Sequence, residues 1–191
     1  MFLVFDTETT GLPLWNEPSD DPRQPYVVDL ACSLFDRAGL EIERYDAIID
    51  NGVEIPEEVS RIHGITTEIA ASEGVTPSLA LEEFLRLIGE CEVVIGHNVS
   101  FDIRMMRIMA ARLTGKKWEN PRPTFCTMHR STGHCKIPSP RARHETDYKW
   151  PRLTEAIKHF FDEDIADAHR ARPDCDAAAR IFFHFREQGL S

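Results

Sequence analysis

Two acids stand at the end of the chain's first apolar run. Phe2, Leu3, Val4 and Phe5 lead directly into Asp6, Thr7 and Glu8. A spacing of two puts both carboxylates on one face of an extended segment. Paired carboxylates at a strand mouth repel unless a cation sits between them, and hard oxygen ligands suit a divalent ion. The ordinary alternative is a solvated strand end with two surface acids. Two later stretches have the same chemical character: Gly96-His97-Asn98-Val99-Ser100-Phe101-Asp102, and His169-Arg170-Ala171-Arg172-Pro173-Asp174. Acids at element ends face the crevice where α/β sheets keep their sites. Each also has a local explanation. Asp102 and Asp174 could favour a helix dipole, and His169 could be a plain loop histidine.

The elements that must position these residues follow from patterning. The run 2–5 reads as a strand buried on both faces. Residues 13–25 hold four prolines and read as a loop. Val27–Asp36 and Leu40–Asp50, split by Arg-Ala-Gly, suggest a hairpin beside the first strand. Short helices are expected at Pro56–His63, ended by Gly64, and at Thr66–Ala71. Thr76 caps a longer helix running through Ile88. A short strand at Glu92–Ile95 precedes a helix capped by Ser100 that runs towards Leu113. Its methionines read as core filler. Residues 116–148 show little periodicity beyond a short strand near Thr124–Thr127. Pro151–Phe161 is amphipathic and helical, Asp162–Asp167 is an acidic linker, and the last helix starts near Pro173. This order predicts a single mixed α/β domain over residues 1–191, with a central sheet of about five strands flanked by helices.

Bulk composition narrows the function classes. A 191-residue chain with 42% hydrophobic content can build one core. No apolar run reaches membrane-spanning length, no positive region precedes the first run, and the five cysteines form no disulfide framework. A reducing cytoplasm without membrane contact is the expected setting. Net charge is −10, which argues against a general electrostatic grip on nucleic acid. The stretch from Arg112 to Arg152 nevertheless holds ten Lys or Arg against Glu119, Glu145 and Asp147. It could contact a polyanion, or it could be an Arg-rich surface loop. Cys126, His129, His134 and Cys135 are formally able to bind zinc, but their spacing is unusual. Cys126 packing beside Phe125 in a strand is the simpler reading.

Taken together, Asp6 and Glu8 in D-x-E-T-T-G-L, Asp102 in G-H-N-x-x-F-D, and His169 with Asp174 in H-x-A-x-x-D resemble the DnaQ-like 3′–5′ exonucleases of the DEDDh type. His63-Gly64-Ile65-Thr66 is a further family-like element. The resemblance spans nearly the whole chain and implies an RNase H-like fold. It implies Asp6, Glu8, Asp102 and Asp174 around two Mg²⁺ or Mn²⁺ ions, Asp6 bridging both and Asp102 acting through water. It implies His169 as the general base. Near neutral pH a free imidazole is substantially unprotonated, as that role needs. It places the terminal nucleotide against Thr9 and Leu12, with Leu12 as a wedge. His63 and Asn98 would bind sugar or phosphate, and Phe101 would offer an apolar face, although core packing suits Phe101 equally.

The implied activity is release of 5′-mononucleotides from a single-stranded 3′ end, DNA over RNA, with a DNA polymerase as an allowed partner. The E-T-T-G-L form leans towards proofreading-type relatives. An RNA-trimming or oligoribonuclease-like enzyme, a catalytically silent polymerase-associated module and an RNase H-fold endonuclease stay open. Two departures stand out. Pro173 replaces a small or aliphatic residue, and the loops at 13–25 and 115–150 are long for the family. Lys149-Trp150-Pro151-Arg152-Leu153 matches a family-like element without a mechanism attached.

Overall fold

The computed structural model describes residues 1–141, 143–144, 147–166 and 169–189. Asp167 of the acidic linker and Glu145 of the basic stretch lie outside the described residues. β1 (Phe2–Thr9) is the middle of a five-stranded sheet. On one side it pairs antiparallel with β2 (Val27–Phe35), which pairs antiparallel with β3 (Glu41–Ile48). On the other side it runs parallel to β4 (Val93–Gly96), which runs parallel to β5 (Thr124–Cys126). β1 is covered on both faces, as its apolar run predicts: Leu3, Val4 and Phe5 are 0% exposed. β3 is an edge strand and alternates between exposed and half-buried residues.

The hairpin connection is two residues longer than its predicted three-residue turn, spanning 36–40, because Asp36 leaves the strand to organise it. Asp36 Oδ1 accepts from the backbone N–H of Ala38 at 2.8 Å and of Leu40 at 2.9 Å, and Gly39 supplies a φ of +89°. α1 (Glu57–His63), α2 (Thr67–Glu73) and α3 (Pro77–Glu90) follow. Gly64 ends α1 in a left-handed turn, while Thr66 and Thr76 cap the next two helices through their side chains. α4 is Val99–Thr114, and its cap is Asn98 rather than Ser100. Asn98 sits at φ +72° with no side-chain cap bond, and Ser100 donates its hydroxyl back to Asn98 Oδ1.

α5 (Thr127–Cys135) is a helix where the sequence showed no period. Thr127, Met128 and Ser131 form its buried face, so packing overrides a polar, Gly-containing sequence. α6 (Leu153–Phe161) and α7 (Ala171–Glu187) complete the described elements. α7 begins two residues before Pro173. That proline sits in the first turn, where a missing N–H is tolerated.

Two apolar layers flank the sheet. Leu3 and Phe5 join Phe84 and Leu87 of α3 and Met105 and Met106 of α4. Val4 and Ala31 join Ile181, Phe182 and Phe185 of α7. Alternation along β1 therefore sends Asp6 and Glu8 towards α7 and Thr7 towards α4. The loop 13–25 is pinned onto α4. Arg104 donates to the carbonyls of Leu14 and Glu17 and to Ser19 Oγ, and Arg112 donates to the carbonyls of Gln24 and Pro25.

Candidate active site

Carboxylate oxygens of Asp6, Glu8 and Asp174 lie within 4.8 Å of one another. β1 delivers the first two from one strand face, and the first turn of α7 delivers the third. Two negative charges at such a separation repel by about 3–4 kcal/mol at an effective dielectric near 20. Burial pushes the Asp6 carboxyl well above its usual range, with Asp102, Asp174 and Glu8 adding to the shift. Burial, then Asp174, pushes Glu8 up to about 8. Asp174 is raised by burial, against an opposing hydrogen bond from the His169 backbone N–H at 3.3 Å. Its other oxygen, Oδ1, is buried without a partner among the described residues.

Asp102 stands apart from this trio but next to it. It is 2% exposed on α4, and its Oδ1 accepts from Thr7 Oγ1 at 2.8 Å and Thr7 N at 3.1 Å. Burial raises it to about 7, although both Thr7 donors pull the other way. His169 is exposed, at φ +72°, and its ring makes no hydrogen bond among the described residues.

The remaining predicted residues spread around the same end of the sheet. Thr9 is buried and donates its hydroxyl to the carbonyl of Gly11 at 2.8 Å, shaping the turn that presents Leu12. Leu12 is 81% exposed. His63 is 3% exposed, and its Nδ1 accepts from the backbone N–H of Ile65 at 3.1 Å. The proton therefore sits on Nε2, a buried donor without a partner among the described residues. An open cavity of about 480 Å³ runs between His63 on α1 and Arg170 and Pro173 at the start of α7. Asn98 is used as the α4 cap, and Phe101 packs half-buried against the α3–α4 core.

The zinc reading fails. Asp6, Glu8 and Asp174 are the group of potential ligands that the described residues gather. Cys126 packs against the core, His129 lies tilted against Trp150, and His134 meets Phe185 edge-on. The basic stretch is partly structural as well. Arg112 stacks 3.8 Å over Tyr26, Arg122 binds the carbonyls of Ile88 and Gly89, and Lys149 pairs with Glu155 at 2.6 Å.

Two features were missed in the sequence. His97 joins three elements: its Nε2–H donates to the Pro151 carbonyl at 3.0 Å, so its Nδ1 is left to accept from Thr127 Oγ1 at 2.9 Å. That contact gives the 149–153 element a purpose, fastening the start of α6 to the strand end that leads into α4. The second is Asp29, an acid 5% exposed inside apolar β2 and opposite Glu8 in register. The signal was available: one carboxylate within Val27-Val28-Asp29-Leu30-Ala31.

The RNase T exonuclease family model matches residues 3–182. The chain belongs to that exonuclease family. With it come the RNase H-like fold and the 3′–5′ exonuclease class that the three motifs imply. The chain is 28% identical over 187 residues to the DNA polymerase III subunit epsilon of Aquifex aeolicus, covering 98% of this chain and 81% of that protein. It is 30% identical over 191 residues to the PolC-type DNA polymerase III of Thermotoga maritima, covering 97% of this chain but 12% of that protein. Among solved structures, E. coli exonuclease I in complex with a dT13 oligonucleotide superposes with a TM-score of 0.71 at 17% identity. That match covers 97% of this chain and 40% of exonuclease I. The exonuclease I of Methylocaldum szegediense has a TM-score of 0.66 at 20% identity, covering 98% and 40%. At these identities the structures speak for the fold.

Proposed function

We propose that this chain hydrolyses single-stranded DNA from its 3′ end, releasing 5′-mononucleotides, with two divalent cations held by Asp6, Glu8, Asp102 and Asp174. The carrying observation is the half-buried carboxylate trio, with Asp174 Oδ1 buried and unpartnered among the described residues. Three acids raised by burial, Asp6 and Glu8 also by neighbouring carboxylates, form an all-oxygen donor set that fits Mg²⁺ or Mn²⁺. When bound, such ions stabilise negative charge on the phosphoryl oxygens and lower the pKa of an attacking water.

The chain's own residues supply the rest. Asp6, Glu8 and Asp174 gather on one face of β1, and Asp102 closes the site from α4, set by two donors from Thr7. His169, exposed beside Asp174, takes the proton of the attacking water as general base. His63 Nε2–H points a buried donor towards a sugar or phosphate oxygen. Leu12 and Phe101 offer apolar faces to the terminal nucleotide, and Thr9 holds the turn between them and the acids. Asn98 contributes by fixing the start of α4. DNA is favoured over RNA because the epsilon and PolC-type relatives are DNA polymerase III proteins by name, which also makes such a polymerase the partner to test.

The deciding experiment is an end-labelled oligonucleotide assay with Mg²⁺, Mn²⁺ or chelator, on matched DNA and RNA and on circular DNA. Metal-dependent mononucleotide release from linear DNA alone is expected. Cleavage of circles, or faster degradation of RNA, would replace this reading by an endonuclease or an RNA-trimming one.

A further inference from the structure

Asp29 is a buried carboxylate that the proposed chemistry leaves without a role. It is 5% exposed on β2, across from Glu8. Its Oδ2 accepts from Arg170 Nε at 2.8 Å and from the backbone N–H of Ala171 at 3.2 Å. A buried charge is retained only when it is paired and hydrogen-bonded, and both partners here belong to one short segment. That segment directly follows His169, whose φ of +72° lies in a region L side chains seldom adopt. Such a conformation persists only where its surroundings over-determine it. The other hold is the His169 N–H on Asp174 Oδ2 at 3.3 Å. Residues 169, 170 and 171 are thus each tied to a carboxylate, two of the three to Asp29.

We infer that Asp29 is a positioning residue for His169: by gripping Arg170 and Ala171 it fixes the direction in which the imidazole leaves the chain. The inference rests on the reading of His169 as general base. A purely structural Asp29 would cap α7 and leave turnover alone. A positioning Asp29 acts on turnover through one side chain, because a misplacement of about 1 Å can cost about a hundredfold in rate.

A double-mutant cycle on the Mn²⁺-loaded protein, with a single-stranded oligonucleotide, separates these outcomes. Asp29→Asn keeps an acceptor for Ala171 but loses the charge that holds Arg170. It is expected to lower kcat by about 10- to 100-fold, with KM and calorimetric Mn²⁺ affinity within about threefold of wild type. In a His169→Ala background the same change should cost nothing further, since residues acting as a unit are not additive. A wild-type kcat for Asp29→Asn, an equal loss in both backgrounds, or a fall in Mn²⁺ affinity would overturn the inference. If Asp29→Asn does not fold, Arg170→Gln removes the same hold from the other side and enters the same cycle. A His169→Ala variant with wild-type kcat would sink the general-base reading itself, and the inference with it. Additivity with an impaired His169→Ala sinks the inference alone.

Discussion

Thr7 and Asp102 meet across the junction of β1 and α4, where one Asp102 oxygen accepts both the hydroxyl and the backbone N–H of Thr7 at 2.8 and 3.1 Å. Thr7 lies between the two motif acids and points to the opposite face of the strand. The threonine in D-T-E thus links the acids on one side of β1 to the one on the other. Thr7→Val keeps the side-chain shape and removes the hydroxyl donor. The variant should lose about 1–2 kcal/mol of stability, and its turnover should fall at limiting metal more than at saturating metal. Thermal melts and metal titrations of activity check this. Equal loss at all metal concentrations would mean the bond stabilises the fold without tuning Asp102.

Asp6→Asn and Asp174→Asn should each abolish turnover, since each removes a ligand from a trio within 4.8 Å. The metal-free variants should at the same time melt higher than metal-free wild type, because each substitution relieves burial of a charge among like charges. A lower melting temperature in both metal-free variants would show that the carboxylates are not mutually repelling, and the metal assignment would lose its footing.

Much of this site was legible because its logic is local. Asp6 and Glu8 share a face by spacing alone, and the apolar run before them fixes the strand. Thr76, Pro77 and Gly64 mark helix ends through their own backbone chemistry. What stayed hidden is held by distant partners. α5 has a polar sequence and is helical because Met128 and Ser131 find cover. His97 stood in the second motif without a role of its own, and both ring nitrogens are engaged by Thr127 and Pro151, thirty and more residues later. Asp29 reads as an oddity in an apolar strand until Arg170 arrives from the far end of the chain. The internal partners of the basic stretch were equally hidden, because the carbonyls that Arg112 and Arg122 serve lie far off in sequence.

The acids also set a pH signature. In the metal-free fold Glu8 titrates at about 8 against an ordinary 4.5, and Asp102 at about 7 against 3.8. The folded chain therefore holds protons that the unfolded chain has released. Their contribution is fully present below about pH 4 and is lost as pH rises towards 8. His97 works in the opposite direction. Burial lowers it from 6.5 to about 4, so its share of stability grows with pH across that window. Metal-free and metal-loaded protein share His97, so their difference isolates the carboxylates. The rise in melting temperature on adding Mn²⁺ should be small at pH 5 and largest near pH 8, as measured by parallel melts. A metal-induced rise independent of pH would place the cation somewhere other than on these acids.

Arg141 and Arg143 remain exposed on the basic stretch, after Arg112, Arg122 and Lys149 are assigned to internal contacts. Handling of a polyanion by an acidic protein would need local positive charge, and exposed arginines whose side chains have no partner among the described residues can supply it. Each phosphate that these arginines neutralise should add about 0.7 to the slope of log affinity against log salt for single strands. Charge reversal of both, Arg141→Glu with Arg143→Glu, should therefore weaken oligonucleotide binding and flatten that slope by about 1–1.5. Hydrolysis of a dinucleotide, which has a single internucleotide phosphate and that one in the reacting position, should be untouched. Fluorescence anisotropy across a salt series measures the first effect and product release the second. An unchanged slope would assign this loop to some other partner, and a slowed dinucleotide reaction would place it in the site itself.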